Sequence, residues 1–210
     1  GERSFSYWRD QSPSKYIFLG SKGKKLAGEV KNADIFYYTG ISAGILDTNQ
    51  RKDLIHIGST AVICGFDFNY RHQLHNDKKV SQLLFQEISK NVDINFVSFD
   101  DVKELFDIKT PFEVFEILND KKNLILIRYK DSIIFKNKQE VIKTVKVPHG
   151  EVVDTTAAGD AFNGSFLALK NNDKNISIED NILKSHSVTK EVIKHKGAII
   201  SNKNMPKINT

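Results

Sequence analysis

The sequence predicts an α/β protein built on a mostly parallel sheet, and three observations carry that reading. Apolar runs at 33–40 (ADIFYYTG), 61–69 (AVICGFDFN) and 94–99 (INFVSF) are each followed by a stretch with helical character. These runs are apolar at most positions instead of at alternate ones, as in strands whose two faces are both covered. Past residue 122 the spacing tightens: 123–129, 132–136 and 140–147 leave no room for helices between them, so antiparallel members are expected there.

The elements follow in order. Residues 2–9 alternate polar residues with Phe5, Tyr7 and other bulky side chains, a half-buried strand pattern, and 15–20 (KYIFLG) is a second short strand candidate beside it. The run 33–40 is a buried strand ending at a glycine loop. A helix over 47–57 opens at Asp47, Thr48 or Asn49, any of which caps it. The strand at 61–69 leads to a helix at 77–90, and the strand at 94–99 to a helix whose first turn carries Asp100 and Asp101. A helix over 111–118 begins with Pro111 in its first turn. After the closely spaced strands come a loop at 154–160, helices at 158–170 and 178–194, and a last short strand at 197–200.

With 210 residues, 40% hydrophobic and 27% charged, the chain can bury a sizeable core. No apolar run approaches the roughly 18 residues of a membrane span, so no membrane partner is expected. The single cysteine, Cys64, lies inside an apolar run, which excludes a disulfide framework and points to a core thiol in a reducing cytoplasm. The net charge of +5 is dispersed. Its densest cluster, 21–25 (SKGKK), lacks the interleaved arginine and aromatic residues of a single-strand groove, so these lysines read as solvated surface and no nucleic-acid partner is expected. His72 and His75 are spaced i, i+3 without a third ligand nearby and read as surface or packing residues. The chain opens on GERSFSYWRD, already in a strand pattern and without methionine, so it is expected to be part of a longer protein.

Ligands in open α/β sheets sit where strands end and helices begin. At those places the chain carries FDFNYRHQL, SFDD and DTTAAGD. The last string is the most informative. Ala157, Ala158 and Gly159 have almost no side chain, so an anion can approach their backbone N–H groups at the start of a helix. A carboxylate beside a bound anion is repelled unless it has a task. Asp160 is either a simple helix-start residue or a base that takes a proton from a hydroxyl attacking a phosphoryl group.

The string 154–160 (DTTAAGD), followed by a helix of small residues, resembles the second signature of the ribokinase-like (PfkB) carbohydrate kinases. GERSFSYWRD, FDFNYRHQL and HKGAII with MP near the end are similar to the branch that acts on 2-keto-3-deoxygluconate. The resemblance spans essentially the whole chain. It implies a three-layer α/β/α fold, incomplete at its N-terminus, with residues 1–22 as remnant strands of a β-sheet lid and 23–210 as the nucleotide-binding and catalytic part of the core. It implies ATP-dependent phosphorylation of a sugar acid at its 6-hydroxyl, with Mg²⁺ neutralising the phosphates. Asp160 is then the base, and the N–H groups of Ala157, Ala158, Gly159 and Asp160 the anion hole. Tyr7, Arg9, Ile41 and Arg71 match substrate contacts. Asn69 and Arg71 match residues shared with the nucleotide, and His186 a nucleotide contact. Asp101 matches an acid that reaches the metal through water. Arg9 and Arg71 also make independent sense, because arginine clamps a carboxylate bidentately. Association of copies through the lid is a further implication.

Departures from the pattern accompany the match. The family carries glycine after a Lys or Arg between two strands near the nucleotide, whereas here Arg128 is followed by Tyr129, expected to crowd the phosphates. Gly164 interrupts a helix, where glycine costs about 1 kcal/mol against alanine. The family's first core strand, most of its lid and its Gly-Gly/Asn sugar motif have no counterpart here. The alternatives are a fructose or ribose kinase of the same family, and a catalytically silent fragment or paralogue that binds nucleotide or a partner chain.

Overall fold

A computed structural model describes residues 12–75, 77–118, 123–139, 141–148 and 150–206. A 3₁₀ turn at Pro13–Tyr16 precedes α1 (Gly20–Lys31), β1 (Ile35–Thr39), α2 (Gly40–Ile45), α3 (Thr48–Gly58) and β2 (Ile63–Asp67). Then come a 3₁₀ turn at His72–Leu74, α4 (Lys78–Lys90), β3 (Ile94–Ser98), α5 (Phe99–Phe106) and α6 (Glu113–Ile117). The strands β4 (Leu124–Tyr129), β5 (Ser132–Lys136) and β6 (Ile142–Lys146) lead to α7 (Ala158–Asn172) and α8 (Ile178–Val192).

The six strands form one sheet in the order β1-β2-β3-β4-β5-β6. β1 to β4 are mutually parallel, and β5 and β6 are added antiparallel. Successive residues of one strand serve opposite cores. Phe66, Val97, Ile125 and Ile127 pack with Leu54, Phe85, Val102 and Phe115 on one face. Ile94, Phe96, Leu126 and Phe135 pack with Phe162, Phe166 and Ile182 on the other. That double coverage is why the strand runs are continuously apolar. Gly65 lets α7 approach β2, since a Cβ there would stand 3.2 Å from Leu167.

Local chemistry accounts for the helix starts. Asp47 is the residue that caps α3, accepting from the N–H groups of Asn49 and Gln50, both at 2.9 Å. Asp77 caps α4 through Val80 N–H at 3.0 Å. Glu113 accepts from the N–H groups of Lys109 and Thr110, so Pro111 lies in a turn ahead of α6 instead of within it.

Two expected strands are corrected, and two helices, α1 and α2, escaped the sequence pattern. The strand expected at 15–20 is a 3₁₀ turn running into α1, because Ser12 accepts from Ser14 N–H and Pro13 presets a helical φ. α1 was not visible in the pattern because it buries only Gly23 and Val30. The strand expected at 197–200 does not form among the described residues. Gly197 has φ 89° and gives its N–H to Asp154, and Ile199 is 92% exposed. The expected strand at 2–9 lies outside the described residues. No helix among the described residues is long and apolar enough to cross a membrane.

Candidate active site

The C-terminal ends of β2, β3 and β4 and the first turn of α7 enclose a cleft of about 300 Å³. Its lining includes Asp67 at the end of β2, Asn69 and Arg71 beyond it, Ser98 and Asp101 at the start of α5, and Arg128 near the end of β4. Opposite stand Thr155 and the run Ala157, Ala158, Gly159 and Asp160.

The loop leading into α7 is fixed at its root. Asp154 accepts from Thr156 N–H through one carboxylate oxygen and from Gly197 N–H through the other, both at 2.7 Å. The N–H groups of Val153 and Asp154 both donate to Ile193 O, at 2.8 and 3.0 Å, which ties the loop to the end of α8. Ala157 precedes the helix in a left-handed conformation, φ 61°. Ala158 N–H donates to Thr155 O and Ala161 N–H to Ala157 O. The N–H groups of Gly159 and Asp160 have no such acceptor among the described residues, and both residues line the cleft. Free donors at a helix start suit an anion.

Arg128 lies against this turn. A Cβ on Gly159 would stand 3.5 Å from its Nη2. Its Nη1 donates to Asn163 Oδ1 at 2.8 Å, and Nη2 is 3.5 Å from Asp67 Oδ1. Asp67 is 3% exposed. Its Oδ2 accepts from Asn163 Nδ2 at 2.8 Å and from the Tyr37 hydroxyl at 3.3 Å. Burial pushes the Asp67 carboxyl above the usual carboxylate range, with Arg128 and Tyr37 opposing the shift and Asp160 adding to it. Burial and the Asp67 charge also raise the Tyr37 phenol, which keeps it a donor.

On the facing side Arg71 donates to Tyr70 O at 2.7 Å and stands 3.5 Å from Asp101 Oδ1. Burial pushes Asp101 up to about 6 against the pull of Arg71. Asn69 sits at φ 34°, and its buried Oδ1 has no hydrogen-bond partner among the described residues. An orphaned acceptor, free N–H groups and two guanidinium groups around one cleft fit a phosphate-bearing ligand with hydroxyl groups. The oxygen donors suit Mg²⁺. Among the described residues no three His, Cys, Asp or Glu side chains are grouped to hold a metal. A divalent ion would therefore rely largely on the ligand's phosphates and water, with Asp101 as the neighbouring carboxylate.

Asp160, Ala157, Ala158, Gly159, Asn69, Arg71 and Asp101 thus share one cleft. Ile41, in α2, instead lines an apolar groove of about 420 Å³ with Phe36 and Leu54. His186, on α8, has Nε2 2.9 Å from Pro148 O and is not among the cleft's lining residues. Tyr7 and Arg9 lie outside the described residues. Sequence reasoning did not single out Asp67, Arg128, Asn163 or Tyr37 as site residues. A signal existed for two of them: Asp67 and Arg128 are charged residues near the ends of otherwise apolar strand runs. Tyr129, expected to crowd the phosphates, stays in β4 with its ring edge-on to Phe99 and is not among the cleft's lining residues. The positive-φ residue of the β4–β5 turn is Lys130, φ 52°.

The profile of the pfkB family carbohydrate kinases matches residues 1–205. The chain is 31% identical over 215 residues to 2-dehydro-3-deoxygluconokinase of Escherichia coli (strain K12), covering 98% of the chain and 69% of that relative. To the Haemophilus influenzae protein of the same name it is 34% identical over 208 residues, covering 95% and 66%. Among solved structures, aminoimidazole riboside kinase from Salmonella enterica, complexed with aminoimidazole riboside and an ATP analog, superposes with a TM-score of 0.67 at 20% identity. That match covers 79% of this chain and 58% of the other, and bears on the fold alone.

Proposed function

The chain belongs to the pfkB family of carbohydrate kinases, and from that premise we propose that the protein transfers the γ-phosphoryl group of ATP to the 6-hydroxyl of 2-keto-3-deoxygluconate. The observation that carries the proposal is the single cleft in which Asp160, the free N–H groups of α7, Asn69 and Arg71 meet. The names of the two bacterial relatives support the sugar acid as substrate.

In this reading the sugar's 6-hydroxyl lies beside Asp160 and in line with the γ-phosphorus. Its oxygen forms the new P–O bond as the bond to the β-bridging oxygen breaks. The hydroxyl proton passes to Asp160 late, and ADP leaves with the electron pair of the broken bond. The N–H groups of Gly159 and Asp160 and the guanidinium of Arg128 meet the charge on the moving phosphoryl group. Arg71 holds the substrate's carboxylate. Asp101 is the cleft carboxylate that would face a Mg²⁺ ion bound with the nucleotide, and the ion would supply charge neutralisation at the phosphates.

The test is turnover of Asp160→Asn, which keeps the side chain's size and removes the base. We expect a loss of at least about a hundredfold, and turnover within tenfold of wild type defeats the assignment. Substrate choice is tested by comparing kcat/KM for 2-keto-3-deoxygluconate, fructose and ribose. A preference for a neutral sugar refutes the carboxylate clamp at Arg71 and moves the protein to another branch of the family.

A further inference from the structure

Asn163 is fully buried one helical turn beyond Asp160, on the side of α7 that faces the sheet. Asparagine is a weak helix former, and here it is followed by Gly164, so neither residue is present for the helix's sake. Each polar group of its carboxamide is used. Nδ2 donates to Asp67 Oδ2 at 2.8 Å and to the Tyr37 hydroxyl at 3.0 Å, while Oδ1 accepts from Arg128 Nη1 at 2.8 Å. The reverse orientation would set Oδ1 against a carboxylate and Nδ2 against a guanidinium, so only one is favourable. The Tyr37 hydroxyl closes the ring by donating to Asp67. One side chain therefore joins β1, β2, β4 and the helix that carries Asp160.

We propose that Asn163 is the positioning residue of this site: its carboxamide holds Arg128 against Gly159 and, through Arg128, fixes the first turn of α7, with Asp160, to the strand ends. The inference rests on the kinase reading. Without Asn163, Arg128 keeps only the 3.5 Å approach to Asp67 and is free to swing within the cleft. Asp67 loses its shortest donor and Tyr37 loses a partner. Misplacement of reacting groups by about 1 Å costs on the order of a hundredfold in rate, so a local effect on geometry has a large readout.

The experiment is a double-mutant cycle on the full protein with Asn163→Ala and Arg128→Met, read by kcat, KM for sugar and calorimetric Kd for Mg-ATP. Asn163→Ala preserves helix propensity and should unfold cooperatively. It is expected to weaken Mg-ATP about tenfold and lower kcat about ten- to a hundredfold, with KM for the sugar little changed. Because Asn163 acts through Arg128, the double variant should be no worse than Arg128→Met alone. Tyr37→Phe removes one hydroxyl, should show a smaller loss in the same direction, and replaces Asn163→Ala in the cycle if that variant does not fold. Losses that multiply in the double variant, or wild-type kcat and Kd in Asn163→Ala, overturn the inference and leave the kinase reading standing. A wild-type protein that binds no Mg-ATP and phosphorylates none of the three sugars overturns the kinase reading itself, and this inference with it.

Discussion

Ala157 holds a left-handed backbone immediately before α7, a conformation that costs an L-residue about 1–2 kcal/mol. Its place among residues lining the cleft gives a reason for accepting that cost: a larger side chain would fill the space over the free N–H groups. Glycine relieves the strain, whereas a β-branched residue makes it worse. Ala157→Gly is therefore expected to keep turnover within about threefold of wild type, with urea stability unchanged or slightly raised. Ala157→Val should lose about 2 kcal/mol of stability and most of its Mg-ATP affinity. Wild-type behaviour of the valine variant would remove the argument from strain. The same residue scale shows what was legible in the site. Positions 157–160, Asn69, Arg71 and Asp101 could be picked out because each lies in a short string that follows a strand. Asn163 and Tyr37 could not, because 126 residues separate partners in one hydrogen bond and nothing in either local sequence announces the other.

The β4–β5 hairpin carries a backbone cost at its turn. Tyr129 pairs with Ser132, leaving Lys130 and Asp131 as the turn, and Lys130 takes the positive φ. Lys130→Gly should raise stability by about 0.5–1 kcal/mol, less the contact of its ammonium 5.1 Å over the Tyr129 ring. Mg-ATP affinity should not change. A lower denaturation midpoint would show that the cation–ring contact outweighs the strain. The parallel strands β1 to β4 were readable because burial on both faces leaves uninterrupted apolar runs, and the antiparallel additions because their spacing excludes crossover helices. α1 was not readable: a helix burying two residues of twelve has almost no apolar stripe. Segment 197–200 was misread for the opposite reason. GAII has strand composition, but Asp154 takes the Gly197 N–H that a ladder would need.

At the scale of the whole molecule, the cleft stores carboxylates that oppose folding at neutral pH. Asp67 and Asp101 both lie above the usual carboxylate range, Asp101 at about 6 against an ordinary 3.8, chiefly because burial disfavours their charged forms. A carboxyl group whose pKa is raised in the folded state binds more protons folded than unfolded between those two values. Its contribution to stability is therefore full below about 4 and is lost as pH rises through about 6. For Asp101 the two-unit difference corresponds to about 2–3 kcal/mol. Capping and paired acids such as Asp47, Asp131 and Glu191 are shifted downward and work in the other direction, so the wild-type curve mixes both signs. The comparison with Asp101→Asn separates them. Measured by urea unfolding without divalent ions, the variant should be more stable than wild type by about 2 kcal/mol at pH 7.5, and the gap should close toward pH 4. Arg71 limits the gain, since neutralising Asp101 removes its partner at 3.5 Å. A gap that is absent at pH 7.5, or that widens on acidification, would show that Arg71 compensates the buried charge in full. A closing gap paired with lost turnover would mean that the fold gives up stability at neutral pH to keep an ionised acid facing the phosphates.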